Sequence, residues 1–187
     1  MGYVQNGPFQ TKIVKSVYKN PWIEVEEHEI VRPNGDDGLY GIVKTSNSVT
    51  IIAENNEQKI LLIHAYSYPG KKWHWELPAG GGDGEDLLVA GKRELQEEAG
   101  LVANNWEQIG YFRPMDGLMP ERCALWLATD LQNADYLDAD DSDVIDDRKF
   151  FSMDEINEMI KAGKVDEGTT LASFYYYLLR KNKSGRK

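Results

Sequence analysis

Between Gly80 and Leu101 a glycine-rich stretch runs directly into a helix pattern, and this junction restricts the folds open to the chain. Gly80, Gly81, Gly82 and Gly84 fall within five positions. Leu87, Leu88, Ala90, Leu95 and Ala99 then recur at helical spacing, with Gly100 as a stop. On that helix Glu94 precedes Glu97 by three residues and Glu98 by four, so the three carboxylates share one face. Like charges at those spacings repel, and a fold gains nothing from the cluster by itself. A divalent cation reverses the balance, because magnesium favours hard oxygen ligands. Three glutamates alone read as a solvated acidic face. Arg93 at the head of the cluster, Glu85 eight residues before it and the glycines upstream point instead to a built site.

Composition limits the chemistry further. With 187 residues the chain is one domain, or one domain with a small N-terminal extension, and is long enough to bury a substantial core. No apolar run approaches a membrane span, and the N-terminus lacks the charged-then-apolar pattern of a signal peptide. The single cysteine, Cys123, excludes an internal disulfide and a cysteine zinc cluster. It lies in an apolar run and reads as core, and a reducing, cytoplasmic setting is expected. A net charge of -10 argues against non-specific nucleic-acid binding. It also repels an anionic substrate, unless cations gather at the acidic helix.

The rest of the chain reads as strands around that helix. Met1 to Gln10 is expected to be loosely held. Strands are expected at 11–18, 22–31, 39–44, 48–53, 59–66, 74–77, 106–112, 123–130 and 147–151. Glu54 to Glu57 reads as a hairpin loop, and Asn133 to Asp143 as an acidic loop. Ser152 and Glu155 form a capping box for a helix ending at Gly163. A final amphipathic helix starts at Thr169, with Leu171, Phe174, Tyr175 and Leu178 on its apolar side. Residues 183–187 read as a disordered basic tail.

From Glu85 to Leu101 the sequence resembles the Nudix hydrolase motif: Glu, seven residues, Arg-Glu-aliphatic-x-Glu-Glu-x-Gly-aliphatic. One departure is that four residues separate Gly80 from Glu85, where the family usually has five. The lead-in Glu76-Leu77-Pro78-Ala79-Gly80, and Pro114, Gly117 and Glu121 after the motif, are similar to the ADP-ribose pyrophosphatase branch. The resemblance implies an α+β fold, with an α/β/α sandwich around a mixed sheet (residues 39–182). It also implies an extra N-terminal antiparallel sheet (residues 1–38) exchanged across a homodimer.

The same resemblance implies the site. Glu94, Glu97, Glu98 and the Ala79 carbonyl bind magnesium or manganese. Arg93 and Glu85 hold the loop and helix in register, as a guanidinium fork suits. Water then attacks a diphosphate phosphorus, with the cations neutralising phosphate oxygens. The branch often takes its general base from a late acidic loop. Here that loop has aspartates in place of glutamate, and Asp143 or Asp141 is the expected base, with Glu121 a second candidate. Trp22, Tyr66 and Arg113, with Glu121, are candidates for substrate contact, Trp22 by stacking on a base. Ser67 stands where relatives commonly carry an arginine. A nucleoside diphosphate linked to a sugar is the implied substrate, ADP-ribose first and a nucleotide sugar such as GDP-mannose second. A nucleotide-sensing domain without catalysis is the third alternative, with no nucleic-acid or membrane partner in any of them.

Overall fold

A computed structural model of the chain describes residues 3–134 and 144–184. The chain divides into two compact units.

The first unit runs to Ser46 and takes in Met115–Glu121. Its strands β1 (Val4–Asn6), β2 (Phe9–Lys19), β3 (Glu24–Val31) and β4 (Asp37–Lys44) form one antiparallel sheet in sequence order. The acidic strand β3 lies between strands that carry lysines. Lys15 reaches Glu29 at 2.9 Å from one side, and Lys44 reaches Glu26 at 2.9 Å from the other. Opposite charges facing each other across a ladder favour this register. The Asn20 side chain accepts the N–H groups of Trp22 and Ile23, which makes the turn expected at Asn20-Pro21. The N-terminus departs from expectation. Part of the polar stretch before Gln10 is strand, because β1 pairs along β2 from Val4↔Thr11 to Asn6↔Phe9.

The second unit comprises Asn47–Pro114 and the chain from Arg122 onward. Its mixed sheet has the order β8-β5-β10-β9, from β5 (Ser48–Ala53), β8 (Ala79–Gly81), β9 (Leu101–Phe112) and β10 (Cys123–Asn133). β5 and β10 are parallel, and the outer pairs are antiparallel. A second, antiparallel sheet has the order β11-β6-β7, from β6 (Ile60–Ser67), β7 (Lys72–Glu76) and β11 (Ile145–Phe151). The loop at Glu54–Glu57 therefore joins two sheets and does not close a regular hairpin. The pairing is reduced to one antiparallel bridge, Glu54↔Ile60, and the bond from the Asn55 N–H to the Lys59 carbonyl at 3.0 Å.

Helices α1 (Leu87–Ala99), α2 (Met153–Lys161) and α3 (Gly168–Ser184) complete the unit. Val49, Ile51 and Ala53 of β5 pack with Ala90 and Leu95 of α1. Ile52, on the other face of the strand, packs with Ile156 of α2 and with Phe174 and Tyr177 of α3. A strand covered on both faces carries apolar residues on both, which explains 49–53, where buried Thr50 is the one polar side chain and meets the Cys123 thiol at 3.3 Å. These layers match the sandwich expected around a mixed sheet. Cys123 is fully buried, as expected of a core thiol.

α3 corrects the sequence reading. Its buried positions are Thr170, Ser173, Phe174 and Tyr177, while Tyr175 is 64% exposed and Leu178 42%. The inward face is thus set partly by small hydroxyls that find partners. Thr170 accepts the Leu77 N–H at 3.1 Å, and Ser173 donates to the Thr169 carbonyl at 2.8 Å. α3 also continues to Ser184, into residues expected to belong to the tail. Residues 185–187 lie outside the described residues.

Candidate active site

The glycine-rich stretch and α1 form one hydrogen-bonded assembly. Asp86 caps the helix, with its carboxylate accepting from Leu88 and Val89 N–H, and Gly100 ends it at φ 65°. The short lead-in closes as a tight turn. Glu85 N–H donates to Gly82 O at 2.6 Å, and both central residues have positive φ, 43° at Asp83 and 88° at Gly84. Positive φ at both central positions is the type I′ geometry. A four-residue lead-in therefore suffices to bring Glu85 to the helix entrance.

Glu94 and Glu98 are buried, at 6% and 7% exposure. Buried carboxylates demand compensating partners. Arg93 Nη1 lies 2.9 Å from Glu94 Oε1 and donates to Glu97 Oε2 at 2.8 Å. Its Nη2 donates to the Gly81 carbonyl at 3.1 Å, and its Nε is 3.7 Å from Glu85. One guanidinium thus ties the glycine stretch to two carboxylates of the helix, as a planar fork does best. Burial works against the Arg93 charge. The Glu94 and Glu97 carboxylates outweigh it and hold the group above its usual pKa. Glu98 Oε2 accepts the Ala79 N–H at 2.9 Å.

Gly80 makes this approach sterically feasible. A Cβ there would lie 2.0 Å from Glu94 Oε1, closer than any side chain tolerates. The strand–glycine–helix order thus places backbone against carboxylate, a close approach that motif spacing alone does not reveal.

The structure brings together Ala79, Glu85, Arg93, Glu94, Glu97 and Glu98. Of the residues expected to touch substrate, Tyr66 lies on β6 with Trp73 edge-on at 5.5 Å, and Arg113 follows β9. Trp22, 76% exposed, and Glu121 belong to the first unit. Asp141 and Asp143 fall outside the described residues. Three contacts were not legible in the sequence. The Ala79 N–H and Gly81 carbonyl carry no side-chain signal, and Arg148 of β11, fifty residues beyond Glu98, donates to the Glu98 carbonyl.

In chemical character the three carboxylates suit a hard divalent cation. Among the described residues, however, no group of three such side chains converges as a ready metal cage. Arg93 Nη1 occupies the space between Glu94 and Glu97.

The family model described as NUDIX domain matches residues 44–174, and a second, the nucleoside diphosphate sugar hydrolase N-terminal domain, matches residues 15–43. The chain is 28% identical to a methanol dehydrogenase activator of Bacillus methanolicus, over 92% of this chain and 95% of that one. It is 23% identical to an ADP-ribose pyrophosphatase of Bacillus subtilis, over 92% and 94%. A crystal structure of an ADP compounds hydrolase shares the fold with a TM-score of 0.81 at 17% identity, over 95% of this chain and 96% of that one.

Proposed function

The chain belongs to the Nudix family of hydrolases, and from that premise we propose that it cleaves the diphosphate of a nucleoside diphosphate linked to a sugar, with ADP-ribose its substrate. The observation that carries this is the Arg93 clamp. It joins Glu94, Glu97 and the Gly81 carbonyl beside a buried Glu98. A cluster of like charges on one helix face, two of them buried, opposes folding unless a positive charge is held there.

Glu94, Glu97, Glu98 and the Ala79 carbonyl are the groups that would hold magnesium or manganese. Such a cation, once bound, neutralises the phosphate oxygens and acidifies a water. A cation held at Glu97 would take over the contact that Arg93 Nη1 makes there, and the Nη2 bond to the Gly81 carbonyl is the one that holds the loop. The remaining roles fall to the chain itself. Asp143, or Asp141, accepts the proton of the attacking water. A new P–O bond forms as the anhydride P–O bond breaks, giving AMP and ribose 5-phosphate from ADP-ribose. Tyr66 and Arg113 of the second unit are the proposed contacts to the rest of the substrate.

A second substrate within the same class, a nucleotide sugar such as GDP-mannose, is favoured by one observation. Ser67 Oγ accepts the Gly70 N–H at 3.0 Å and caps the β6–β7 turn, offering no positive charge to a phosphate. Turnover of ADP-ribose and GDP-mannose with magnesium and with manganese, products identified by mass, decides between them. Cleavage of neither by folded, metal-supplemented protein overturns the proposal. A homodimer through the N-terminal sheet belongs to the same reading. Val4, Val14, Val17 and Tyr18 of that sheet are each more than half exposed, and light scattering of the eluting protein should give twice the chain mass of 21.3 kDa.

A further inference from the structure

Helix α1 ends against its own charges. Its last turn carries Glu97 and Glu98 and no basic residue, although the carbonyl end of a helix favours cations. The last carbonyls of a helix also lack partners within it. The Gly100 N–H closes on Gln96 and Leu95. The Glu98 carbonyl is met from outside the helix, by the Nε–H of Arg148.

Arg148 arrives from β11, in the three-stranded sheet, where it is opposite Ile63 of β6. Side chains alternate along a strand, so Arg148 shares a face with Phe150. Phe150 packs into the cluster containing Ala90 and Leu95, which places that face against α1. The carboxylate of Glu98 is meanwhile held by the Ala79 N–H of β8, in the mixed sheet. Glu98 is therefore fixed at both ends, its backbone by one sheet and its side chain by the other. Arg93, the shared partner of Glu94 and Glu97, sits on the same helix and moves with them.

We propose that Arg148 is a positioning residue for the reaction. It fixes the end of α1 so that Glu98 presents its carboxylate to the divalent cation in one orientation. This rests on the reading of Glu98 as a cation ligand. A merely structural cap would satisfy the Glu98 carbonyl and do nothing to cation affinity.

The test compares Arg148→Met and Arg148→Lys with Gly100→Ala, which strains the other end contact of the same helix through its φ of 65°. Manganese binding is followed by the paramagnetic resonance of the free ion, with melting temperature and kcat measured alongside. Arg148→Met is expected to raise the manganese dissociation constant about ten-fold, the lower end for loss of a group orienting a ligand. It should lower kcat comparably and leave KM within about two-fold, because uniform substrate binding is untouched. Gly100→Ala should lower the melting temperature without moving manganese affinity. Arg148→Lys keeps the charge but not the fork, and should fall between wild type and Arg148→Met. It carries the test if the methionine variant does not fold. Unchanged manganese affinity in the folded variants overturns the proposal. Wild-type protein that binds manganese but cleaves no nucleotide sugar overturns the substrate reading alone, leaving Arg148 to be judged on affinity.

Discussion

Helices α1 and α3 invert each other's rule of burial. α1 buries two glutamates, Glu94 and Glu98, and leaves Val89 55% exposed. α3 buries Thr170 and Ser173 and leaves Tyr175, Leu178 and Leu179 more than two-fifths exposed. In α3 the buried polar groups are neutral hydroxyls, those of Thr170 and Ser173 paired with backbone and that of Tyr177 donating to Glu54, so the helix is held as core. In α1 the buried groups are charges, held by a guanidinium and by backbone of the glycine stretch. Scattered exposed apolar residues are normal, whereas buried charge is the informative departure. The contrast predicts that polar changes at the inner face of α1 affect chemistry before stability, and that the reverse holds for α3.

The sharpest way to break this contrast is Glu98→Gln. The amide can still accept the Ala79 N–H, so the fold should persist, while kcat falls by more than about 100-fold, since loss of outer supporting groups alone costs ten- to a hundred-fold. Near-normal kcat would remove Glu98 from the site. Gly80→Ala tests the close approach. A Cβ would lie 2.0 Å from Glu94, and displacing that carboxylate by about 1 Å should lower kcat roughly 100-fold. Circular dichroism should show the helix retained.

On α3 the expected readout changes. Tyr177 is buried and donates to Glu54. Tyr177→Phe should lower stability by about 1–2 kcal/mol in urea unfolding and leave kcat alone. Burial first, and then Glu54, raise the Tyr177 pKa above its usual 10. An acid whose folded pKa is raised contributes fully below the unfolded value and loses that contribution as pH rises through the folded one. Wild-type stability should therefore fall above pH 10 more steeply than that of Tyr177→Phe. Equal slopes would mean that the phenol is not the titrating group. The smallest effect belongs to Tyr175→Ser, at the exposed position, which should stay within about 0.5 kcal/mol of wild type.

Legibility in the sequence followed the range of the interactions. Leu95 and Gly100 mark α1 by period and stop, and Ser152 with Glu155 mark α2 by a reciprocal cap that the structure contains. These signals are local. α3 defeated the same reading because Tyr175 and Tyr177 are equally apolar by composition. Tyr177 shares the inward face with Thr170 and Ser173, whose partners are the Leu77 N–H and the helix's own carbonyl at Thr169. The strand at Ala79–Gly81 was hidden in glycines because its pairing with β5 is a property of the partner.

The family, the acidic face with its arginine and the strand–glycine–helix order are legible along the chain, because each depends on local spacing. That Gly80 presses on Glu94, that Ala79 and Arg148 grip Glu98 from different sheets, and that Tyr177 turns inward are properties of the folded chain alone. Those outcomes depend on which groups meet across long stretches of sequence, where a buried donor or charge must find its partner or not be buried.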